Sequence, residues 1–425
     1  MTFRIALISD LHVGQGARCE DLYVAPENDV TAGRPVLDKN FLSSFSTVAA
    51  SLRADHGEID FLCVTGDITN EARPEEFRHA SSAILKIAAS LGLCEDQILF
   101  VPGNHDVNWP ILQLGSDSLY RTMRYAPIQE GHLFKTRNDQ LLSGGNLFDE
   151  PYCGIWDLAR VTVIAFNTAE HDGPKPIEGE HYGRISLSAF DHAHAYLSHA
   201  DTPNDKLRVC LIHHHPKLYQ EVREHWPDFS ALSNAENLLK LLDEFRFDLV
   251  VHGHRHFPNV STSAGDNAHP VTIIGCGSFS ARLDSKWFGS VTNHFHIVDV
   301  DRVSDVAQGA RSQGYVRSWS YDLKKRGWFA SHERTGIRHI RPFGAHAAYG
   351  ALLASTTRAV VACMKVSTAC EVRELFEYEA ALQYAVPEQL HRALGEVCRS
   401  LSLRLKGDLD SAVSEWALLP GKVHS

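Results

Sequence analysis

The sequence predicts an α/β fold (α+β in some classification schemes) with buried β-sheets and a C-terminal helical appendage. Short, continuous apolar runs such as RIALIS, IDFLCVT and FDLVVH recur up to about residue 300, as expected for strands that are buried on both faces. Segments with helical periodicity lie between many of these runs, and strands that alternate with helices indicate an α/β architecture. After about residue 345 only the helical pattern continues.

The order of these elements predicts two domains. We expect the first over residues 1–330, with helices at 37–55, 75–92, 187–199 and 233–246 between its strands. Residues 107–160 interrupt the alternation with loop-rich sequence and are predicted to form an insertion over the site at the strand ends. Residues 331–425 are predicted to form a separate helical extension, whose apolar spacing suits packing against a partner helix. We expect it either to pack on the first domain or to form the contact of a homodimer.

Net charge, cysteine spacing and the lack of long apolar segments argue against a nucleic-acid-binding, disulfide-rich or membrane-spanning protein. The 425 residues carry a formal net charge of −11, which argues against a sequence-wide attraction to nucleic acid or to anionic membranes. The nine cysteines show no CxxC spacing and are predicted to be reduced core residues. No segment approaches the roughly 20 apolar residues of a membrane span, and the N-terminus has no leader pattern. A cytoplasmic location is therefore the expectation.

Polar side chains follow five of the predicted strands at the point where each strand ends. In open α/β sheets ligands bind outside the carboxyl ends of strands, so these groups are expected to converge on one crevice. Carboxylate, imidazole and amide groups together suit Mn, Fe or Zn better than Ca. The motifs are SDLH, TGD, GNHD, HHHP and GHRH, and they contribute Asp10, His12, Asp67, Asn104, His105, Asp106, the histidines 213–215, His254 and His256.

The spacing within two of these motifs is informative. Asp10 and His12, like His254 and His256, would point to the same side if the chain stayed extended after the strand. Glycines at 66, 103 and 253 would allow tight turns there. Each motif alone occurs often by chance, but five in a fixed order at strand ends favour a metal site strongly over a structural accident.

This ordered set of motifs resembles the calcineurin-like metallophosphoesterase superfamily over about residues 3–330. The SDLH opening, the HHP segment and the closing VRSWSYDLKKRGWF look most like its class III cyclic-nucleotide phosphodiesterase branch. The resemblance implies a four-layer αββα sandwich, in which two packed mixed β-sheets are flanked by helices. It also implies that residues 1–330 form the catalytic domain.

The resemblance further implies a dinuclear centre of divalent or trivalent Mn, Fe or Zn ions. In relatives with an HHP segment the ligand lies two residues before the proline, which gives His214 here and leaves His213 as the alternative. One ion would be held by Asp10, His12, Asp67 and His256, and the second by Asp67, Asn104, a histidine of the HHHP segment and His254, with Asp67 bridging the two.

The implied reaction is hydrolysis of a phosphodiester, small and nucleotide-like, by a hydroxide that bridges the two metal ions. His105 is the candidate group that assists the leaving oxygen, with Asp106 orienting it, whereas the structural alternative is a core histidine bonded to a carbonyl. A nuclease or phosphomonoesterase remains an alternative, because fold and metal site do not fix the substrate. A further alternative is a non-catalytic scaffold derived from a phosphoesterase, against which the complete ligand set argues.

Residues 311–341 combine eight Lys or Arg with two acidic residues and several aromatic residues. Such a mixture can bind single-stranded nucleic acid through charge and stacking. We favour the alternative of an edge hairpin whose aromatic side chains pack inward while its charges discourage edge pairing. Nucleic acid therefore remains a possible partner but not the preferred one, and no membrane partner is expected.

Overall fold

The computed structural model describes most of the chain, and its strands and helices alternate as the sequence predicts. The described residues are 2–25, 36–108, 123–172, 182–199, 206–218, 230–264, 270–305, 309–344, 349–408 and 413–421. The strands are β1 (Thr2–Ile8), β2 (Phe61–Thr65), β3 (Ile98–Val101), β4 (Cys153–Asp157), β5 (Val161–Phe166), β6 (Leu207–Leu211), β7 (Leu249–His252), β8 (Pro258–Ala264), β9 (Pro270–Cys276), β10 (His294–Asp305), β11 (Gly309–Asp322), β12 (Gly327–Ala330), β13 (Ile340–Phe343), β14 (Cys370–Glu371), β15 (Leu403–Lys406) and β16 (Ala417–Pro420).

The four helices predicted in the first 250 residues are present, with ends shifted by a few residues. Short 3-10 turns supplement them, including one at Asn104–Asp106 inside the GNHD motif. The α-helices are α1 (Phe41–His56), α2 (Pro74–Ser90), α3 (His132–Asp139), α4 (Leu187–His199), α5 (Ala235–Glu244), α6 (Ser285–Phe288), α7 (Tyr349–Val366), α8 (Leu375–Tyr378) and α9 (Pro387–Ser400).

Two mixed sheets form the centre of the fold. The first has the order β12-β11-β10-β1-β2-β3, with β13 paired to β11, and combines parallel β1–β2–β3 pairing with an antiparallel β11–β12 hairpin. The second has the order β4-β5-β6-β7-β9-β8, with parallel central strands and an antiparallel pair at each edge. The mixed-sheet prediction is therefore confirmed.

Helices cover one face of each sheet, and the other faces meet. Phe45 of α1 packs against Phe295 of β10, with 5.0 Å between ring centroids. Apolar residues of α4 and α5 share a buried cluster with β5, β6 and β7. Between the sheets, the Thr65 hydroxyl contacts the Cys276 sulfur at 3.7 Å and His296 Nε2 lies 2.6 Å from the Cys276 carbonyl. These layers confirm the expected αββα sandwich.

The segment predicted as a loop-rich insertion has more regular structure than expected. It contains α3 and the edge strand β4, while residues 109–122 of the predicted insertion lie outside the described residues. The sequence pattern missed β4 because CGIWD is short and follows turn-forming residues.

The chain divides into two compact units, one of residues 1–299 and 317–339 and one of residues 300–316 and 340–425. The second unit contains the predicted C-terminal helices α7 to α9. It also contains a three-stranded sheet in the order β14-β16-β15, which the sequence pattern did not predict. A disulfide joins Cys363 and Cys370, so the expectation that every cysteine is reduced is wrong for this pair.

The aromatic residues of the basic stretch are largely buried. In the first unit, Trp319, Tyr321 and Trp328 are buried, and Trp319 stacks on Phe295 with 5.1 Å between centroids. Phe329, on the edge strand β12, remains exposed. The buried rings are not accessible for stacking on bases, which agrees with an edge hairpin. Within the described residues no helix is long and apolar enough to cross a membrane.

Candidate metal centre

Five strands deliver the polar motifs to one region. Strands β1, β2, β3, β6 and β7 end at residues 8, 65, 101, 211 and 252, and each is followed within a few residues by one of the motifs. The parallel pairings β1–β2, β2–β3, β5–β6 and β6–β7 align the carboxyl ends within each sheet. The 3.0 Å contact between His213 Nε2 and Asn104 Oδ1 shows that the ends of the two sheets lie together.

A left-handed backbone, and not an extended one, turns the ligand side chains toward each other. Asp10, His12, Asp67, His254 and His256 have φ angles of 51°, 49°, 48°, 69° and 57°. This conformation is unfavourable for residues with a Cβ and is found mainly where the surrounding structure enforces it, often at functional sites. Asp10 and His12 come together in one group of donors, although not through the extended chain on which the prediction rested, whereas His254 and His256 belong to two different groups.

The first group of donors is formed by Asp10, His12, Asp67 and His256, whose ligand atoms all lie within 4.8 Å of one another. His256 Nε2 is 3.0 Å from an Asp10 carboxylate oxygen and 3.3 Å from His12 Nε2. His12 Nε2 is 3.6 Å from the Asp67 carboxylate. Two donors that each bind a metal ion at about 2.1 Å stand roughly 3 to 3.5 Å apart, so this spacing fits a shared cation.

The second group shares Asp67 with the first and adds His213 and His254. His213 Nε2 is 3.3 Å from the other Asp67 oxygen and 3.0 Å from Asn104 Oδ1. His254 Nδ1 is 2.9 Å from the same Asn104 oxygen and 3.1 Å from His213 Nε2. Three donor atoms thus meet at one point. One shared proton cannot satisfy all three contacts, whereas a central cation can.

The structure brings His213, and not His214, into this group. His213 Nδ1 lies 2.7 Å from the Thr65 carbonyl. Nδ1 therefore carries the proton, which leaves Nε2 as the ligand atom. The His214 ring packs beside His254 with 4.4 Å between centroids, and its Nδ1 lies 2.8 Å from the Thr168 hydroxyl. The proline alignment that gave His214 therefore differs from the structure by one residue, and we propose His213 as the ligand.

Two glycines create the space for the His213 ring. A Cβ on Gly66, whose φ is +89°, would lie 2.4 Å from His213 Nδ1, and one on Gly103 would lie 2.8 Å from its Cε1. At Gly66 only glycine permits both the turn and this approach, whereas at Gly103, whose φ is −106°, the close approach alone requires glycine. The ring is held in a slot between the TGD and GNHD turns.

Burial sets the protonation of two of the imidazoles. It lowers the pKa of His12 well below its ordinary value, with the charge of His105 adding to the effect. Burial, together with His214, likewise lowers the pKa of His254. Both rings are therefore neutral, which is the form that binds metal.

Asp67 and His213 behave as an ion pair. Burial opposes the charge on each of them, but their mutual attraction outweighs it. The pKa of Asp67 is held well below its usual range by His213 and His105, and the pKa of His213 is raised to about 9 mainly by Asp67. Binding of a metal ion by His213 Nε2 requires the neutral ring, so it would release a proton from the charged form.

His105 and Asp106 occupy different positions in the GNHD turn. His105 is half-buried, its ring lies edge-on to His12 at 4.6 Å, and its Nδ1 is 2.9 Å from the Asn70 carbonyl. Asp106 is buried and accepts hydrogen bonds from the backbone N–H groups of Ile68, Thr69 and Gly103, at 3.1, 2.8 and 2.8 Å. The Asn70 carbonyl thus holds His105 at Nδ1, whereas Asp106 joins the GNHD turn to the TGD turn.

Thr168 is a residue of the site that the sequence did not indicate. Its hydroxyl accepts hydrogen bonds from the backbone N–H groups of His213 and His214, at 3.3 and 3.2 Å, besides contacting the His214 ring. It follows β5 in an unremarkable NTAE segment, so no motif marks it. These bonds fix the register of the triple histidine and turn His213 inward.

The donor set therefore fits metal binding. Comparison with known protein families identifies the family that carries this set. A family model described as calcineurin-like phosphoesterase matches residues 3–258, a range that includes all five motifs. The chain belongs to the calcineurin-like phosphoesterase family. The resemblance inferred from the motifs is thereby confirmed, and the chain is a member of a family of metal-dependent hydrolases.

Relatives within the family are distant. A probable cyclic nucleotide phosphodiesterase of Rhodococcus erythropolis is 23% identical over 240 residues, which is 56% of this chain and 64% of that protein. The 3′,5′-cyclic adenosine monophosphate phosphodiesterase CpdA of Vibrio vulnificus is 23% identical over 225 residues, 52% of this chain and 63% of that one. The matched region thus spans slightly less than two thirds of either relative.

Among solved structures, a conserved uncharacterized protein from Streptococcus pneumoniae, a predicted phosphoesterase, is 12% identical with a TM-score of 0.30. The match covers 81% of this chain and 98% of that chain. A likeness of that size adds no argument about the fold.

Proposed function

We propose that this protein is a dinuclear phosphodiesterase that hydrolyses a small, nucleotide-like diester. The observation that carries the proposal is the sharing of Asp67 between two groups of donors, with one carboxylate oxygen toward His12 and the other toward His213. A bridging carboxylate of this kind is what two neighbouring metal ions require. The names of the two bacterial relatives support a cyclic nucleotide or similar diester as the substrate class.

The proposed ligands are Asp10, His12, Asp67 and His256 for one ion, and Asp67, Asn104, His213 and His254 for the other. When bound, the ions would supply charge to bind the phosphoryl oxygens and to activate water. The remaining chemistry belongs to the side chains around them.

His105 is proposed to assist the leaving oxygen. Its Nδ1–H donates to the Asn70 carbonyl, so Nε2 is the ring nitrogen to which we assign the proton transfer. Burial alone would lower the pKa of His105, but Asp67, the Asn70 carbonyl and Asp106 together raise it. The ring is therefore biased toward the protonated form that can donate to an alkoxide.

Hydrolysis of bis(p-nitrophenyl) phosphate and p-nitrophenyl phosphate, with manganese added, tests the proposal. We expect turnover that favours the diester and two bound manganese ions per chain by elemental analysis. His256→Ala should lose metal and turnover, whereas His194→Ala, which alters an exposed histidine of α4, should retain both. Absence of turnover in the metal-loaded protein would overturn the enzymatic assignment, and preference for the monoester would overturn the diesterase.

A further inference from the structure

Phe288 packs against the side of the metal centre that faces solvent. Its ring is nearly parallel to that of His256, with 5.6 Å between centroids and 17° between planes, and lies 5.4 Å from that of Phe257. His256 and Phe257 are only partly buried, whereas Asp10, which contacts His256, is fully buried. The short helix α6 therefore stands at the rim of the centre.

The residue before Phe288 in α6 is a tryptophan with an exposed ring. Trp287 is 60% exposed, which is unusual for a tryptophan. The α6 turn that carries it is fixed by Asp284, whose carboxylate accepts a hydrogen bond from the Lys286 N–H at 2.8 Å. Lys286 Nζ lies 5.0 Å from the centroid of the Trp287 ring, which keeps a positive charge beside the exposed indole.

We propose that Trp287, with Lys286 beside it, is the element that recognises the base of a nucleotide substrate. Consecutive Cα atoms are about 3.8 Å apart, so Trp287 lies one residue beyond a ring that contacts a proposed metal ligand. In this proposal, its exposed side chain lies near the group attached to a phosphate bound at the centre. Every nucleobase has a flat face that can stack on an indole, and such stacking tolerates different bases.

This inference rests on the proposed function and narrows it to nucleoside phosphodiesters. Diesters with two aliphatic substituents would bind through the phosphate alone, because they have nothing to stack on the indole. Lys286 attracts the negative charge of the substrate, whereas the net charge of the chain, −11, repels it.

The chain offers a matched control on another strand. Phe329 of β12 is 45% exposed and has Lys325 Nζ 4.9 Å from its ring centroid. It reproduces the exposed ring and the lysine beside it, but lies on the edge hairpin of the first sheet. Trp287→Ala is therefore compared with Phe329→Ala, and Trp287→Phe tests whether an aromatic ring suffices.

The first measurement is binding by titration calorimetry to the full-length, manganese-loaded protein. Thymidine 5′-phosphate carries a base and inorganic phosphate does not. We expect Trp287→Ala to raise the Kd of thymidine 5′-phosphate about tenfold and to change the Kd of phosphate less than about twofold. Trp287→Phe should bind both ligands about as tightly as the wild type. The inference would be overturned if Trp287→Ala lost affinity equally for both ligands, or bound the nucleotide as tightly as the wild type. It would also be overturned if Phe329→Ala lost as much affinity for the nucleotide.

The second measurement uses two esters with one leaving group, thymidine 5′-p-nitrophenyl phosphate and methyl p-nitrophenyl phosphate. In Trp287→Ala we expect KM to rise about tenfold for the thymidine ester only, with kcat within about twofold for both. A change of the same size for the methyl ester would refute base recognition. If the wild type binds the nucleotide selectively yet hydrolyses neither ester, the proposed function fails while recognition by Trp287 stands.

Discussion

Two stacked, fully buried histidines between the sheets should make the fold sensitive to mild acid. The rings of His294 and His296 are nearly parallel, with 6.0 Å between centroids and 5° between planes. His294 contacts the Thr292 carbonyl and the Ser331 hydroxyl. His296 lies 2.8 Å from the Ser318 hydroxyl and 2.6 Å from the Cys276 carbonyl. No carboxylate is among these contacts, so nothing in them compensates a positive charge.

Burial lowers the pKa of His294 to about 3, with His296 adding to the effect, and that of His296 to about 4. In the unfolded chain both rings have the ordinary value of 6.5. Below pH 6.5 the unfolded chain therefore binds protons that the folded protein excludes, and the folded state loses stability as the pH falls.

The size of the effect follows from linkage. At pH 5, which is 1.5 units below the unfolded pKa, each ring lowers the free energy of unfolding by about 2 kcal/mol, or about 4 kcal/mol for the pair. That is a large part of the stability of a typical domain, which is about 5 to 15 kcal/mol. The loss should begin near pH 6.5 and continue until the folded rings titrate.

Urea denaturation at pH 7 and pH 5, followed by tryptophan fluorescence, measures this loss. A chelator removes metal ions, so that their release does not contribute. Between pH 7 and pH 5, the free energy of unfolding of the variant His294→Asn/His296→Asn should fall by about 4 kcal/mol less than that of the wild type. A control variant, His194→Asn/His199→Asn, alters two exposed histidines of α4 and should match the wild type. An equal loss in the buried double variant and the wild type would refute the reasoning.

Three further predictions concern the metal centre. His213→Ala should remove one metal ion per chain and most of the activity, whereas His214→Ala should keep both ions; elemental analysis decides, and loss of metal only in His214→Ala would reverse our assignment. His105→Ala should slow hydrolysis of an alkyl ester about 100- to 10,000-fold but an aryl ester much less, because p-nitrophenolate needs little protonation; a uniform decrease measured with both esters would contradict the leaving-group role. Gly253→Ala should lower manganese affinity, since its Cβ would lie 1.9 Å from Ser9 Oγ and 2.6 Å from the Asp10 carboxylate; wild-type affinity by calorimetry would contradict this steric argument.

The alternation of strands and helices was sufficient to predict an α/β fold with buried sheets, and the resemblance to the family implied the sandwich. Most of the donors could be predicted because they follow strand ends. A buried strand followed at once by GNHD or GHRH fixes the position of Asn104, His254 and His256 without any knowledge of distant contacts. The same reasoning could not choose between His213 and His214. Their register depends on hydrogen bonds that their backbone N–H groups donate to the hydroxyl of Thr168, which is 45 residues away from His213 along the chain.

Other features escaped prediction for related reasons. The strand Cys370–Glu371 has only two residues and is defined by its pairing with Leu418 and Ala417, so no periodicity can reveal it. The disulfide between Cys363 and Cys370 likewise requires that the end of α7 and β14 meet in space.

The left-handed backbone at the donors makes the folded protein less stable than it would be with relaxed turns. This cost exists whether or not a cation is bound. Replacing Asp10 removes a donor in any case, but the replacement determines whether the strained turn is relieved. Glycine adopts the φ of 51° without penalty, whereas alanine keeps the penalty of about 1 kcal/mol. Asp10→Gly should therefore unfold at higher urea concentration than Asp10→Ala, although both lack the carboxylate. The difference in the free energy of unfolding between these two variants would measure how much the left-handed backbone at this one donor lowers the stability of the protein.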